Sequence, residues 1–296
     1  MDLETEVSSI SSLVHKLVED LKCDSVDVQR AAAAELRVLA KNTENVDAIA
    51  KSGAISLLIG LLYSSDLKTQ ENAVTALLNL SIAGSNKIAI ANSNAIDPLI
   101  YVLQTGNSEA KRNSAATLYS LSVDKENMIK IGRSGVYGPL VELLMNGTPQ
   151  GKNDAATALF NLSIIHENKA RIVQAGAVRH LVKLIDPAFG MVDKAVTVLA
   201  NLATIPKGRD AIVRERGVPL FVEVVELGSA RAKENAAAAL LLLCTNSNRF
   251  CQLALREDVV PLLVALLQSG TPRAREKAGA LLSYIRNQIH GNARRV

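Results

Sequence analysis

One pattern returns about every 41 residues from one end of the chain to the other. The first Leu of an L-x-x-L/I pair falls at Leu36, Leu77, Leu118, Leu159, Leu199, Leu240 and Leu282, at steps of 41, 41, 41, 40, 41 and 42. Its partner three residues on is Leu39, Leu80, Leu121, Leu162, Leu202, Leu243 and Ile285, and four residues before it stands Ala32, Ala73, Ser114, Ala155, Ala195, Ala236 or Ala278. Offsets of −4, 0 and +3 share one face of an α-helix. A small residue on that face lets a neighbouring helix approach closely. One such unit cannot bury its apolar faces alone, so the period demands a stack of similar units, each covered by its neighbours.

A second ladder marks turns. Gly53, Asn94, Gly135, Gly176, Gly217 and Asp258 follow one another at 41-residue steps. Gly, Asn and Asp are the residues that best tolerate a left-handed backbone, so each is expected to end a short helix at its C′ position. An apolar helix then follows, as at PLVELL (139–144) and PLLVALL (261–267). Each unit therefore reads as a short, a medium and a long helix, which is the armadillo plan. The expected fold is an all-α, right-handed superhelical solenoid, with a partial capping repeat over 1–41, six repeats over 42–289 and a basic tail over 290–296. One unit departs from the pattern: at DPAFGMVDKA (186–195) it is a residue short, and Asp186-Pro187 with Gly190 implies an altered stack or a kink.

The composition agrees. Hydrophobic residues make up 48% but aromatics only 3%, with no Trp, so burial rests on many aliphatic contacts. Lys and Arg (33) nearly balance Asp and Glu (29), and no basic cluster argues for nucleic acid. The longest apolar run, Ala236 to Cys244, is nine residues, where a bilayer span needs about 20. The N-terminal sequence MDLETEVSSI lacks the pattern of a secretory signal. Cys23, Cys244 and Cys251 read as buried thiols of a reducing compartment. A cytoplasmic chain is expected, also nuclear or peripheral at the plasma membrane, with no direct membrane insertion. No catalytic, metal or cofactor motif stands out. The four histidines lack HExxH company, GxSxG is absent, and Gly147 to Asn153 is one residue short of a phosphate loop and lacks its Ser/Thr.

The long helix of an armadillo unit lines the concave side, and its outward stripe can be read from the repeat. Two residues after the reference Leu stand Asn79, Asn161 and Asn201; two before it, Thr75, Thr157 and Thr197. Five before it stand Asn72, Asn113, Asp154, Lys194, Asn235 and Lys277, and Arg112, Lys152 and Lys233 add charge nearby. An Asn amide offers a donor and an acceptor to a peptide backbone. The alternative is that these amides brace loops between units. Three hydrogen bonds at about 1 kcal/mol each give only weak binding, so affinity needs charged or apolar neighbours.

TQENAVTALLNLSI (69–82), GKNDAATALFNLSI (151–164), GMVDKAVTVLANLATIP (190–206), LGSARAKENAAAALLLLC (227–244) and SGTPRAREKAGALLSYIRNQ (269–288) resemble the C-terminal armadillo region of plant U-box E3 ubiquitin ligases. The likeness covers nearly the whole chain. In that family the U-box recruits the ubiquitin-loaded E2 and the armadillo array binds a substrate or regulator. The resemblance implies protein partners such as receptor-like kinase cytoplasmic domains or exocyst subunits. Residues 1–21 read as solenoid helix rather than U-box, so this chain alone is expected not to transfer ubiquitin. An importin-like adaptor fits less well, because Thr75, Thr157 and Thr197 hold the positions of the stacking Trp residues. A catenin-like one expects a strongly basic groove, and this stripe mixes signs.

Overall fold

The computed structural model describes the backbone of residues 3–293 and the side chains of residues 10–288. Twenty α-helices and one 3₁₀ turn make up the described regular structure, with no strand among the described residues. Two compact units divide at Leu162–Ser163.

The first unit opens with α1 (Leu3–Leu21) and α2 (Val26–Leu39). Three helix triplets follow: α3 (Thr43–Lys51), α4 (Ala54–Leu61) and α5 (Leu67–Leu80); α6 (Gly84–Asn92), α7 (Ile96–Thr105) and α8 (Ser108–Leu121); α9 (Lys125–Arg133), α10 (Tyr137–Asn146) and α11 (Pro149–Leu162). The second unit repeats the plan. It comprises α12 (His166–Gln174), α13 (Ala177–Lys183) and α14 (Val192–Leu202); α15 (Pro206–Arg214), α16 (Gly217–Leu227) and α17 (Ala230–Asn246); and α18 (Asn248–Arg256), α19 (Val259–Ser269) and α20 (Pro272–Ala293). Of the tail expected over 290–296, residues 294–296 lie outside the described residues.

Long helices stack on long helices, α2 on α5 on α8 on α11 in the first unit and α14 on α17 on α20 in the second. The reference leucines Leu36, Leu77, Leu118, Leu159, Leu199 and Leu240 are fully buried, and the small residues four positions before them are buried with them. Burying each such Leu contributes about 1.5–3 kcal/mol. Ser114 stands where its counterparts are Ala, and its hydroxyl is satisfied by donating to the Leu99 carbonyl at 2.6 Å. Leu282 is only half-buried; Leu281 and Ile285 carry the core of the last helix instead.

A third ladder keeps the same 41-residue step, but its role does not show in the sequence. Asn45, Asn86 and Asn127, each in the first helix of a triplet, donate side-chain N–H to the Leu39, Leu80 and Leu121 carbonyls at 3.2, 3.3 and 3.2 Å. These clips add a side-chain donor to carbonyls at the end of the preceding long helix, where intrahelical partners run out. On α15 the residue at this step is Arg209, which reaches the Ala203 carbonyl at 3.0 Å. Gly208 beside it lets the backbone close in, since a Cβ there would lie 1.9 Å from the Leu202 carbonyl oxygen.

The turn ladder is left-handed as expected at Gly53, Asn94, Gly135, Gly176 and Asp258, but at the fifth rung the residue with positive φ is Arg216 (φ 58°), not Gly217. The cause is the one-residue deficit upstream. Arg216 stands 17 residues after Leu199, the interval that also separates Leu159 from Gly176. Gly217 instead opens α16, where a Cβ would meet the Ile212 side chain at 2.7 Å. The deficit itself is a 3₁₀ turn, Pro187–Phe189, capped by Asp186 and closed by left-handed Gly190. The cysteines also need correction: Cys244 and Cys251 are buried, but Cys23 is exposed between α1 and α2, where no helix covers it.

Candidate functional site

Four of the long helices, α8, α11, α17 and α20, are turned into place by a glycine corner. Gly106, Gly147, Gly228 and Gly270 end the preceding helix, each donating its N–H to the carbonyl four residues back. A Cβ on Gly147 would come within 2.4 Å of the Leu143 carbonyl oxygen, so a side chain there would push the corner open. The next residue caps the long helix: Asn107, Thr148, Ser229 and Thr271 accept the N–H three residues on at 2.9–3.1 Å. The loop from Gly147 is therefore such a corner, with its Gly147 and Gly151 N–H groups already engaged.

In the first unit the asparagines two residues after the reference Leu reach back to the preceding unit of the repeat. Asn79 donates to the Arg37 carbonyl at 3.1 Å, and Asn161 donates to the Ser122 carbonyl and hydroxyl at 3.3 and 3.1 Å. Ser120, the counterpart between them, donates to the Ser81 carbonyl at 3.0 Å. In the second unit Asn201 donates to the Ser163 hydroxyl at 2.9 Å. At two steps the Ser at the end of one long helix receives the Asn of the next: Ser122 from Asn161 and Ser163 from Asn201.

A parallel relay runs one turn earlier. Asn113 donates to the Thr75 hydroxyl at 2.7 Å, and Thr75 donates to the Glu71 carbonyl of its own helix at 2.6 Å. In the second unit Asn235 donates to Thr197 at 2.8 Å, and Thr197 donates to the Asp193 carbonyl at 2.6 Å. Thr157 makes the same turn-back to Asn153. Asn72 and Asn113 are 1% exposed and lie between helices, with Asn72 donating to the Arg30 carbonyl at 3.4 Å. They have almost no surface to offer a partner. Asn161 and Thr197 are 8% exposed, while Thr75, Asn79, Thr157, Asn201 and Asn235 are half-buried.

The charged residues divide. Arg112 is held by Glu109 on its own helix, with Asp154 of the next helix 3.9 Å away; Glu109 raises the guanidinium's pKa. Lys277 pairs with Glu276 at 2.8 Å. Lys194 is half-buried at the start of α14. Lys152 and Lys233, at equivalent places on α11 and α17, make no ion pair among the described residues.

Apolar residues on the same helices stand outside the predicted stripe. Leu78, Tyr119 and Phe160, each one residue after a reference Leu of the first unit, are half-buried or exposed; Val38 on α2, at a position within the stripe, is 51% exposed. The signal in the sequence was an apolar residue beyond the three that the helix needs for its core. No group of His, Cys, Asp or Glu among the described residues could hold a metal, and no described helix is long and apolar enough to cross a membrane.

Known proteins match this architecture over most of its length. The family described as Plant U-box protein ARM repeat region matches residues 13–293. The chain belongs to that family. U-box domain-containing protein 4 of Arabidopsis thaliana is 80% identical over 98% of this chain, and U-box domain-containing protein 2 of the same plant is 70% identical over 97%. The chain spans only 35% and 41% of those two relatives. Among solved structures, an engineered protein is 28% identical with a TM-score of 0.79, covering 92% of this chain and 68% of its own. A computationally designed armadillo repeat protein for modular peptide recognition is 24% identical with a TM-score of 0.70, covering 77% of this chain and 99% of its own. The armadillo fold is common to all of them.

Proposed function

We propose that this armadillo region is the substrate- or regulator-binding part of a U-box ubiquitin ligase, and that its partners dock on the exposed faces of the long helices. Family membership supplies the ubiquitin context. The observation that carries the docking surface is what the braces leave over. The amide nitrogens of Asn79, Asn161 and Asn201 are committed inward, and none of their oxygens has a partner among the described hydrogen bonds. On the first unit an acceptor at Asn79 sits beside apolar Leu78, with Tyr119 and Phe160 on the following long helices and the uncompensated Lys152 cation at the start of α11. Lys233 and Asn201 offer similar chemistry on the second unit. Acceptors hold a peptide backbone, and apolar and cationic side chains add the affinity that amides alone lack.

The partners that suit this reading are proteins of the cytoplasm or its membrane face, with receptor-like kinase cytoplasmic domains or exocyst subunits as specific candidates. Ubiquitin transfer itself would need a U-box joined to this region. The test spares every brace. Affinity capture from plant extract is compared for wild type, a Tyr119→Asp/Lys152→Glu variant, and a Glu142→Lys control on α10. Bound partners should fall at least tenfold with the first variant and stay with the control. Joining the chain to a U-box should then ubiquitylate the partners captured. A partner list unchanged by Tyr119→Asp/Lys152→Glu overturns the docking surface. Partners retained but never ubiquitylated would make the region an adaptor.

A further inference from the structure

Two buried cysteines meet where α17 hands over to α18. Cys244 is 0% exposed and Cys251 2%. Ser247 ends one helix and caps the next: its N–H donates to the Cys244 carbonyl at 3.3 Å, and its carbonyl accepts the Cys251 N–H at 3.0 Å. The repeat carries an extra residue here, since Leu240 to Asp258 spans 18 residues where Leu199 to Arg216 spans 17. The two thiols are neighbours at this corner: Cys251 and burial push the Cys244 thiol's pKa up, and Cys244 holds that of Cys251 down. Tyr284 of α20 faces both sulfurs and donates its hydroxyl to Asn248 at 3.2 Å.

We infer that Cys244 and Cys251 are a modification site, a dithiol that closes to a reversible intrachain disulfide when it meets a peroxide. The Cys251 thiolate attacks one peroxide oxygen and breaks the O–O bond; the departing hydroxide takes up a proton as water, leaving Cys251 as a sulfenic acid. Cys244 then attacks that sulfur and expels the hydroxyl, which leaves with the Cys244 proton as a second water. Two thiols and one hydrogen peroxide become one disulfide and two waters, the sulfurs losing two electrons between them. Cys251 is the attacking group because the neighbouring Cys244 lowers its pKa, while Cys251 and burial raise that of Cys244. Access needs only the local opening of α18, a nine-residue helix. Cys23 is exposed but alone, with no second thiol to resolve a sulfenic acid.

The test is thiol mapping on the folded chain. After hydrogen peroxide, unfolding and alkylation, the peptides carrying Cys244 and Cys251 should be linked, about 2 Da lighter than the paired thiols, and freed by dithiothreitol. Amide exchange over 248–256 should slow at least tenfold in the oxidised protein, because the bond pins α18 to α17. Cys23→Ser should keep both effects and Cys251→Ser should lose both. Since Cys251→Ser alters a buried position, the Cys23→Ser protein decides the question if the other fails to fold. Recovery of Cys244 and Cys251 as free or separately over-oxidised thiols, while Cys23 reacts, overturns the inference.

Discussion

Asn161 shows what a single polar residue does in this fold. Its amide donates to two oxygens of Ser122 from a position 8% exposed, and the Ser122 hydroxyl passes the interaction on to the Tyr119 carbonyl at 2.8 Å. Removing the amide strands a buried carbonyl, at a cost of about 1–3 kcal/mol. Asn161→Ala should therefore lower the urea midpoint by that equivalent with an unchanged slope; an effect below about 0.5 kcal/mol would class Asn161 with ordinary surface positions. An Asn79, Asn161, Asn201 triple alanine variant would accordingly lose partners by losing its braces, whatever the amides do for a ligand. The sequence presented these asparagines as an outward stripe because offsets along a helix give a face but not its depth. Asn72 and Asn113 have the same periodic credentials as Lys277, yet the two asparagines lie between helices while the lysine is partly exposed.

Among the elements, the short-helix turns were the most legible, and the one exception is instructive. Five of six left-handed positions could be read from Gly, Asn or Asp at a fixed step. The remaining one had a glycine to hand at Gly217, and the chain put Arg216 there instead, because the spacing from the preceding core Leu outranks the local preference of one residue. A left-handed conformation costs a residue with a Cβ about 1–2 kcal/mol. Arg216→Gly should thus stabilise the protein by up to about 1 kcal/mol, raising the urea midpoint, whereas Gly53→Ala should destabilise by a similar amount. If Arg216→Gly instead destabilised, the Arg side chain would be contributing more than its backbone costs. The clip asparagines of the first helices recur at the same step, at Asn45, Asn86 and Asn127, but what they bond to was not legible. Their partners are carbonyls of the helix before, and main-chain acceptors leave no mark in a sequence.

At the scale of the whole molecule, the period that fixes the fold also fixes how stability is distributed. Helix packing runs within triplets and between neighbouring triplets, α2 with α5, α5 with α8, α14 with α17, α17 with α20. Stability in such an array is close to a sum of repeat terms and nearest-neighbour terms. Leu77, fully buried in α5, packs in the stack between α2 and α8. Leu77→Ala opens a cavity worth about 2–5 kcal/mol. In a globular core that loss would lower protection everywhere, since opening is shared. Here native-state hydrogen exchange should quicken in α2, α5 and α8 and leave α17 and α20 near their wild-type rates. Uniform loss across all five helices would mean that the repeats unfold as one block. The local outcome suits a docking array, because a partner gripping a few neighbouring long helices then stabilises those repeats alone. Binding should be mapped by where protection rises rather than by a change in the melting of the whole chain.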